Sequence, residues 1–170
     1  KNESINNSII KTLDILKKNG DKYTNTFGIS YEDGKYKYNV ESNSRLGFLR
    51  DCYGKATIAD LSDEQKDSSA EDLMKYMIEN YQINTENLSP EDLLEILYLR
   101  MNLTANSYTR YKEFTIASEI SESSVAAISE NQNTFVGITV DSQYVRRYND
   151  SKYYSALMGY TGVVSTDQLE

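Results

Sequence analysis

Apolar residues recur along this chain with two different periods, and the change of period divides it into elements. Ile5, Ile9, Leu13 and Leu16 are spaced by four, four and three, with Lys17 and Lys18 near the end and Asn19-Gly20 beyond, which predicts a helix from about Ser4 to Lys18. Between Phe27 and Val40 the period falls to two. Phe27, Ile29 and Tyr31 alternate with polar residues, Asp33-Gly34 supplies a turn, and Tyr36, Tyr38 and Val40 resume the alternation, so a hairpin with one aromatic face is expected. Leu46, Phe48, Leu49 and Tyr53 behind a serine cap and before Gly54 predict a short helix over Ser44 to Tyr53.

The acidic run from Asp60 to Asp72 lacks the D-x-[DN]-x-[DN]-G order with a closing Glu of a calcium loop and reads as a solvated loop. Ser69-Ala70-Glu71-Asp72 then caps a helix carrying Leu73, Met74, Met77, Ile78 and Tyr81. Ser89-Pro90-Glu91-Asp92 opens another with Leu93, Leu94, Leu97, Tyr98 and Met101, the single proline marking a helix start. From Asn102 onward the composition turns toward strands, over Tyr108 to Ala117 and Phe135 to Tyr148, with a short helix from Ser121 to Glu130 between them whose Val125, Ala126 and Ile128 should face inward. The expected fold class is α+β: a mostly helical head with a hairpin over residues 1–105 and a β-rich stalk over 106–170.

Composition removes several functions. The 170 residues contain no histidine, which closes Ser-His-Asp and Cys-His nucleophile systems and every histidine-bearing metal site, and the single cysteine excludes an internal disulfide. A formal charge of -8 repels a phosphate backbone, so nucleic acid is not an expected partner. No stretch approaches the roughly 20 apolar residues that span a bilayer. Lys1 opens the sequence, and Ser165 to Glu170 reads as a cap and first helical turn, so an excised piece of a longer protein is expected.

Ser8-Ile9-Ile10-Lys11 matches the S-x-x-K nucleophile motif, yet with 19 Ser and 12 Lys about one such match arises by chance. Ser8 lies on an amphipathic helix, and Lys11-Thr12 is followed by Leu13 rather than glycine, which favours a surface-helix role over a small hydrolase. The pairs Glu71-Asp72 and Glu91-Asp92 fall in first helical turns, where the helix dipole favours acids whatever the protein does. Tyrosine-rich strands suit a glycan platform but more often fill the half-buried side of a small sheet. Cys52 reads as an inert buried thiol.

The carboxyl-terminal stretch carries the most specific signal. Arg146-Arg147-Tyr148 is followed by Ser155-Ala156-Leu157-Met158-Gly159-Tyr160-Thr161-Gly162, behind Phe135-Val136-Gly137-Ile138-Thr139-Val140. Arg146 brings five donors, Tyr148 and Tyr160 large faces with a hydroxyl, and Gly159 and Gly162 close backbone approach. This block resembles the R-x-Y-P-x-G, then A-x-H-x-x-G-Y-x-G, element in the dimerisation or pedestal domain of class B penicillin-binding proteins. Asn149 stands where the family usually has Pro, Ser151 where it has Gly, and Ala156 where it often has His.

The resemblance implies a noncatalytic module between a membrane anchor upstream and a serine D,D-transpeptidase domain downstream, with no catalytic, metal or cofactor site of its own. Arg146, Tyr148, Gly159, Tyr160 and Gly162 would be a structural motif. Implied partners are the chain's own transpeptidase domain, a polytopic glycan polymerase or other cell-wall synthesis proteins, and, as an open option, a second copy. The implied location is the outer face of the bacterial cytoplasmic membrane, with membrane attachment only through the absent anchor. The alternative from another class is a stand-alone extracellular glycan-binding or adhesin domain.

Overall fold

The protein is described as a computed structural model, covering residues 2–105 and 113–142. Its order is α1 (Asn2–Asn19), β1 (Ile29–Glu32), β2 (Lys35–Tyr38), α2 (Ser42–Cys52), a 3-10 turn (Ile58–Asp60), α3 (Asp63–Lys66), α4 (Ala70–Tyr81), α5 (Pro90–Ala105) and α6 (Glu122–Glu130). Among the described residues, six helices and one two-stranded antiparallel sheet make this an α+β fold. The chain divides into two compact units, Lys1–Val140 and Asp141–Glu170. All the named elements belong to the first.

Each main helix is closed by the chemistry its ends demand. Gly20, at φ +72°, ends α1, and the amides of Gly20 and Asp21 reach back to the carbonyls of Lys17 (3.1 Å) and Leu16 (2.9 Å). The hydroxyls of Ser69 and Ser89 accept the Asp72 and Asp92 amides at 3.1 Å, which starts α4 and α5. In the hairpin, Asp33 and Gly34 both hold positive φ, the conformation a two-residue turn requires between right-twisted strands. The register pairs Tyr31 with Tyr36 and Ile29 with Tyr38, so one face gathers the aromatic residues.

The core forms where these apolar faces meet. Ile9 and Leu13 of α1, Leu49 and Cys52 of α2, Leu73, Met74 and Met77 of α4, and Phe27 and Ile29 beside the hairpin all pack with α5. Helix α5 is the central element. Leu93, Leu94, Ile96, Leu97, Tyr98 and Leu99 are all buried, so it is covered on every side rather than along one stripe.

The structure departs from expectation in five places. The acidic stretch after Thr57 is not one open loop: it holds the 3-10 turn and α3, the latter stabilised by a reciprocal cap in which Ser62 and Gln65 each accept the other's amide. Helix α2 is preceded by Glu41 and has no side-chain cap. On α6 it is Ser124 and Ile128 that are buried, whereas Ala126 is exposed. Phe135 to Val140 forms no strand, because Gly137 at φ +75° breaks the extended backbone there and Val136 turns outward, 47% exposed. In the described part of Tyr108 to Ala117, extended pairing is limited to an isolated bridge between Tyr23 and Ala117, and the helical period carries α5 through Ala105.

Candidate functional site

The S-x-x-K pair is the first place to look for chemistry, and its geometry opposes it. Ser8 is 2% exposed, and its hydroxyl donates to the Ser4 carbonyl at 2.8 Å while accepting the Val136 amide at 2.9 Å. Both its proton and a lone pair are committed to the backbone. Lys11 lies on the exposed side of α1 and makes no bond to Ser8 among the described residues. The expected surface serine is thus a buried one. It ties the segment around Phe135 to α1, with Phe135 itself buried.

A second tie lies at the carboxyl end of α1. The Asp21 carboxylate accepts the Ser121 amide (2.8 Å), the Ser121 hydroxyl (3.0 Å) and the Ser124 hydroxyl, while the Asn19 amide donates to Ser124 Oγ at 2.9 Å. Ser121 also caps α6 by accepting the Ser124 amide. Hydrogen bonds from Ser124, then from the Ser121 amide and hydroxyl, hold the Asp21 carboxyl below its ordinary range against the opposing effect of burial. Asp21 was not singled out from the sequence. The signal available was its place just past Asn19-Gly20, with the Ser121 cap a hundred residues away in the chain.

The third cluster fastens α1 to α5. Lys17 Nζ lies against Asp92 and at 2.6 Å from Glu95, and the Tyr23 hydroxyl donates to Glu95 at 2.7 Å. Burial works against the Lys17 ammonium, but its hydrogen bonds to Asp92 and Glu95 outweigh this and raise its pKa. Burial first, and then the bond to Glu95, push the Tyr23 hydroxyl up to about 12. Asp92 is lowered by its bonds to Lys17 and Ser89. In the two acidic pairs, the Asp72 and Asp92 carboxylates accept the hydroxyls of the capping Ser69 and Ser89, and Glu71 accepts the Tyr36 amide at 2.9 Å.

The hairpin tyrosines are half-buried. The Tyr31 and Tyr36 rings meet at a tilt with centroids 5.0 Å apart, and Tyr38 packs edge-on to Phe48 with Arg45 over its ring at 4.7 Å. Cys52 is 2% exposed, lies 3.5 Å from the Met101 sulfur, and has its thiol pKa pushed up by burial. Among the described residues no cluster of His, Cys, Asp and Glu is placed to hold a metal ion, and no helix is long and apolar enough to cross a membrane. An open cleft of about 370 Å³ is lined by Lys22, Tyr23, Thr24, Thr115, Ile116, Ala117 and Ser118. Arg146, Tyr148, Gly159, Tyr160 and Gly162 lie outside the described residues.

The arrangement therefore joins segments, with Ser8, Asp21, Asp72 and Asp92 committed to it. In the family comparison, residues 10–170 match the Penicillin-binding Protein dimerisation domain. The chain belongs to that family. A comparison with curated proteins finds no match. As a penicillin-binding protein dimerisation domain, the chain is a noncatalytic module of such proteins. That agrees with the resemblance drawn from the arginine-to-glycine block at Arg146 to Gly162.

Proposed function

We propose that this chain is the pedestal of a bacterial class B penicillin-binding protein, and that it holds a serine D,D-transpeptidase domain at a set height and orientation on the outer face of the cytoplasmic membrane. The parent would cross-link peptidoglycan and be acylated by β-lactams at a serine beyond residue 170. In this reading the pedestal offers its surface to a polytopic glycan polymerase or to other cell-wall synthesis proteins.

The single observation that carries the reading is the family match over residues 10–170. What supports it on the chemical side is the use of Ser8 and Asp21 as ties and of the Asp72 and Asp92 carboxylates as acceptors for the capping serines. Incubation with a fluorescent penicillin tests it. The chain alone should remain unlabelled, and the protein extended by the residues encoded after Glu170 should label at a serine in that extension. Covalent labelling of the chain alone that disappears in Ser8→Ala would overturn the proposal.

A further inference from the structure

We propose that the aromatic face of the hairpin at Tyr31 and Tyr36, together with Glu71 and Glu91, is a docking site for an arginine side chain of a partner protein. Strands β1 and β2 pair Tyr31 directly with Tyr36, and the two rings meet at a tilt of 55° with centroids 5.0 Å apart. Both residues are half-buried, so part of this pair is open to solvent. Helix α4 packs against β2 and α5 against β1. Each helix brings an exposed acid from its first turn: Glu71, which accepts the Tyr36 amide at 2.9 Å, and Glu91. Burial first, and then Tyr31, Glu71 and Glu91, raise the pKa of the Tyr36 hydroxyl, and no cation counters them.

The negative charge at this face is unanswered. Among the described residues the ion pairs take up Asp92, Glu95, Glu32, Asp33, Asp51 and Asp63, and neither Glu71 nor Glu91. Lys75, one turn along α4 from Glu71, makes no ion pair either. The alternation of β2 sends Lys35 and Lys37 to the side of the sheet opposite Tyr36. A helix start adds only about half a positive charge. The first turns of α4 and α5 carry Glu71 and Asp72, and Glu91 and Asp92, of which only Asp92 has a cation, Lys17.

The fold itself shows what such a face accepts. Tyr38, two residues from Tyr36 on the same side of β2, carries the Arg45 guanidinium 4.7 Å from its ring centre, whereas no cation of the described residues lies over Tyr31 or Tyr36. A guanidinium is flat and weakly hydrated, so it can lie on a tyrosine ring while its N–H groups reach a carboxylate; an ammonium is held more tightly by water. The chain's net charge of -8 favours the approach of any cation, and the rings with their flanking acids select among cations. That the occupant is a protein rests on the pedestal reading, whereas the cation chemistry does not.

The test is a titration of the isotope-labelled chain followed by NMR at constant ionic strength, reading the ring signals of Tyr31 and Tyr36. The probes are methylguanidinium, the peptide acetyl-Ala-Arg-Ala-amide, and its citrulline and lysine counterparts. Methylguanidinium and the Arg peptide should shift both rings saturably, the neutral citrulline peptide should not, and the lysine peptide should bind several-fold more weakly than the Arg peptide. Glu91→Gln, at an exposed position, should weaken the Arg peptide several-fold, while Glu130→Gln, which removes an exposed acid at the end of α6, should leave it unchanged. Shifts no larger than sodium chloride gives, equal response to the citrulline peptide, lysine binding as tight as arginine, or equal weakening by Glu130→Gln would each overturn the proposal. Methylguanidinium binding without Arg-peptide binding would overturn the protein partner.

Discussion

Gly28→Ala adds one methyl group at the place where the hairpin meets α2. Built on the Gly28 backbone, that carbon falls 2.9 Å from Cγ and Cδ2 of Phe48 and 3.0 Å from Cδ1, well inside van der Waals contact. The ring cannot turn aside freely, because Phe27 packs edge-on to it at 5.2 Å and Tyr38 at 6.4 Å. Nor can the backbone lift easily: the Asn39 amide is bonded to the Gly28 carbonyl, and the Asn39 side chain to the Phe27 carbonyl, both at 3.1 Å. Overpacking of this kind costs about 1–3 kcal/mol. In a domain of this size that lowers Tm by about 2–4 °C per kcal/mol.

Gly47 supplies the control, since it lies in α2 with nothing within 4 Å of an added methyl, and Gly47→Ala should stabilise by roughly 0.5–1 kcal/mol through helix propensity. Urea unfolding of the two single variants, with Phe48→Leu and the Gly28→Ala/Phe48→Leu double variant, separates the clash from a general effect on the hairpin. The double variant should be more stable than the sum of the single effects, because the smaller side chain makes room. A Gly28→Ala midpoint equal to wild type, or strict additivity with Phe48→Leu, would refute the reasoning.

Asp21→Asn should release α6 from α1, seen as faster amide exchange at Ser124, Val125 and Val136 with unchanged protection in α4 and α5; because the folded carboxyl is held low, the same release should occur in wild type only as pH falls below the ordinary carboxylate value of about 3.9. The Lys17 and Tyr23 groups are both raised in the folded state, so their contribution is complete below about pH 10 and lost as pH climbs through about 12; Lys17→Met should flatten that alkaline loss in a pH series of urea midpoints, at a neutral-pH cost under about 1 kcal/mol because the pair is partly exposed. Leu97→Ala, at the fully buried centre of α5, should cost about 2–5 kcal/mol in the same assay. Cys52 should resist iodoacetamide in the native protein and react only on unfolding, as mass spectrometry would report.

The elements legible in the sequence are those where period and cap agree. Helices α1, α4 and α5 show apolar residues at helical spacing between a polar start and a breaker, and the hairpin has Asp33-Gly34 between two alternating runs. The short helices over residues 58–66 escape such reading, since they are built from caps and acids with almost no buried face. The stretch from Phe135 shows the converse error. Its alternation suits a strand, but a strand exists only through a partner, and here Phe135 is buried while the Val136 amide is taken by Ser8. Inward-facing serine is equally invisible to a hydrophobic pattern: Ser124 is buried because Asp21 and Asn19 satisfy it, a fact that depends on contacts a hundred residues apart.

The same distinction decides how the S-x-x-K match should be read. A nucleophilic serine must keep a lone pair free for the incoming carbonyl and have a base within reach of its proton. Ser8 lacks the base, because the Ser4 carbonyl takes its proton and Lys11 is exposed to solvent, and the Val136 amide occupies one of its lone pairs. One spare oxygen lone pair and a neighbouring cation do not make a catalyst when the backbone already holds both ends of the hydroxyl. Ser8 acts instead as a clamp between α1 and the segment that follows α6.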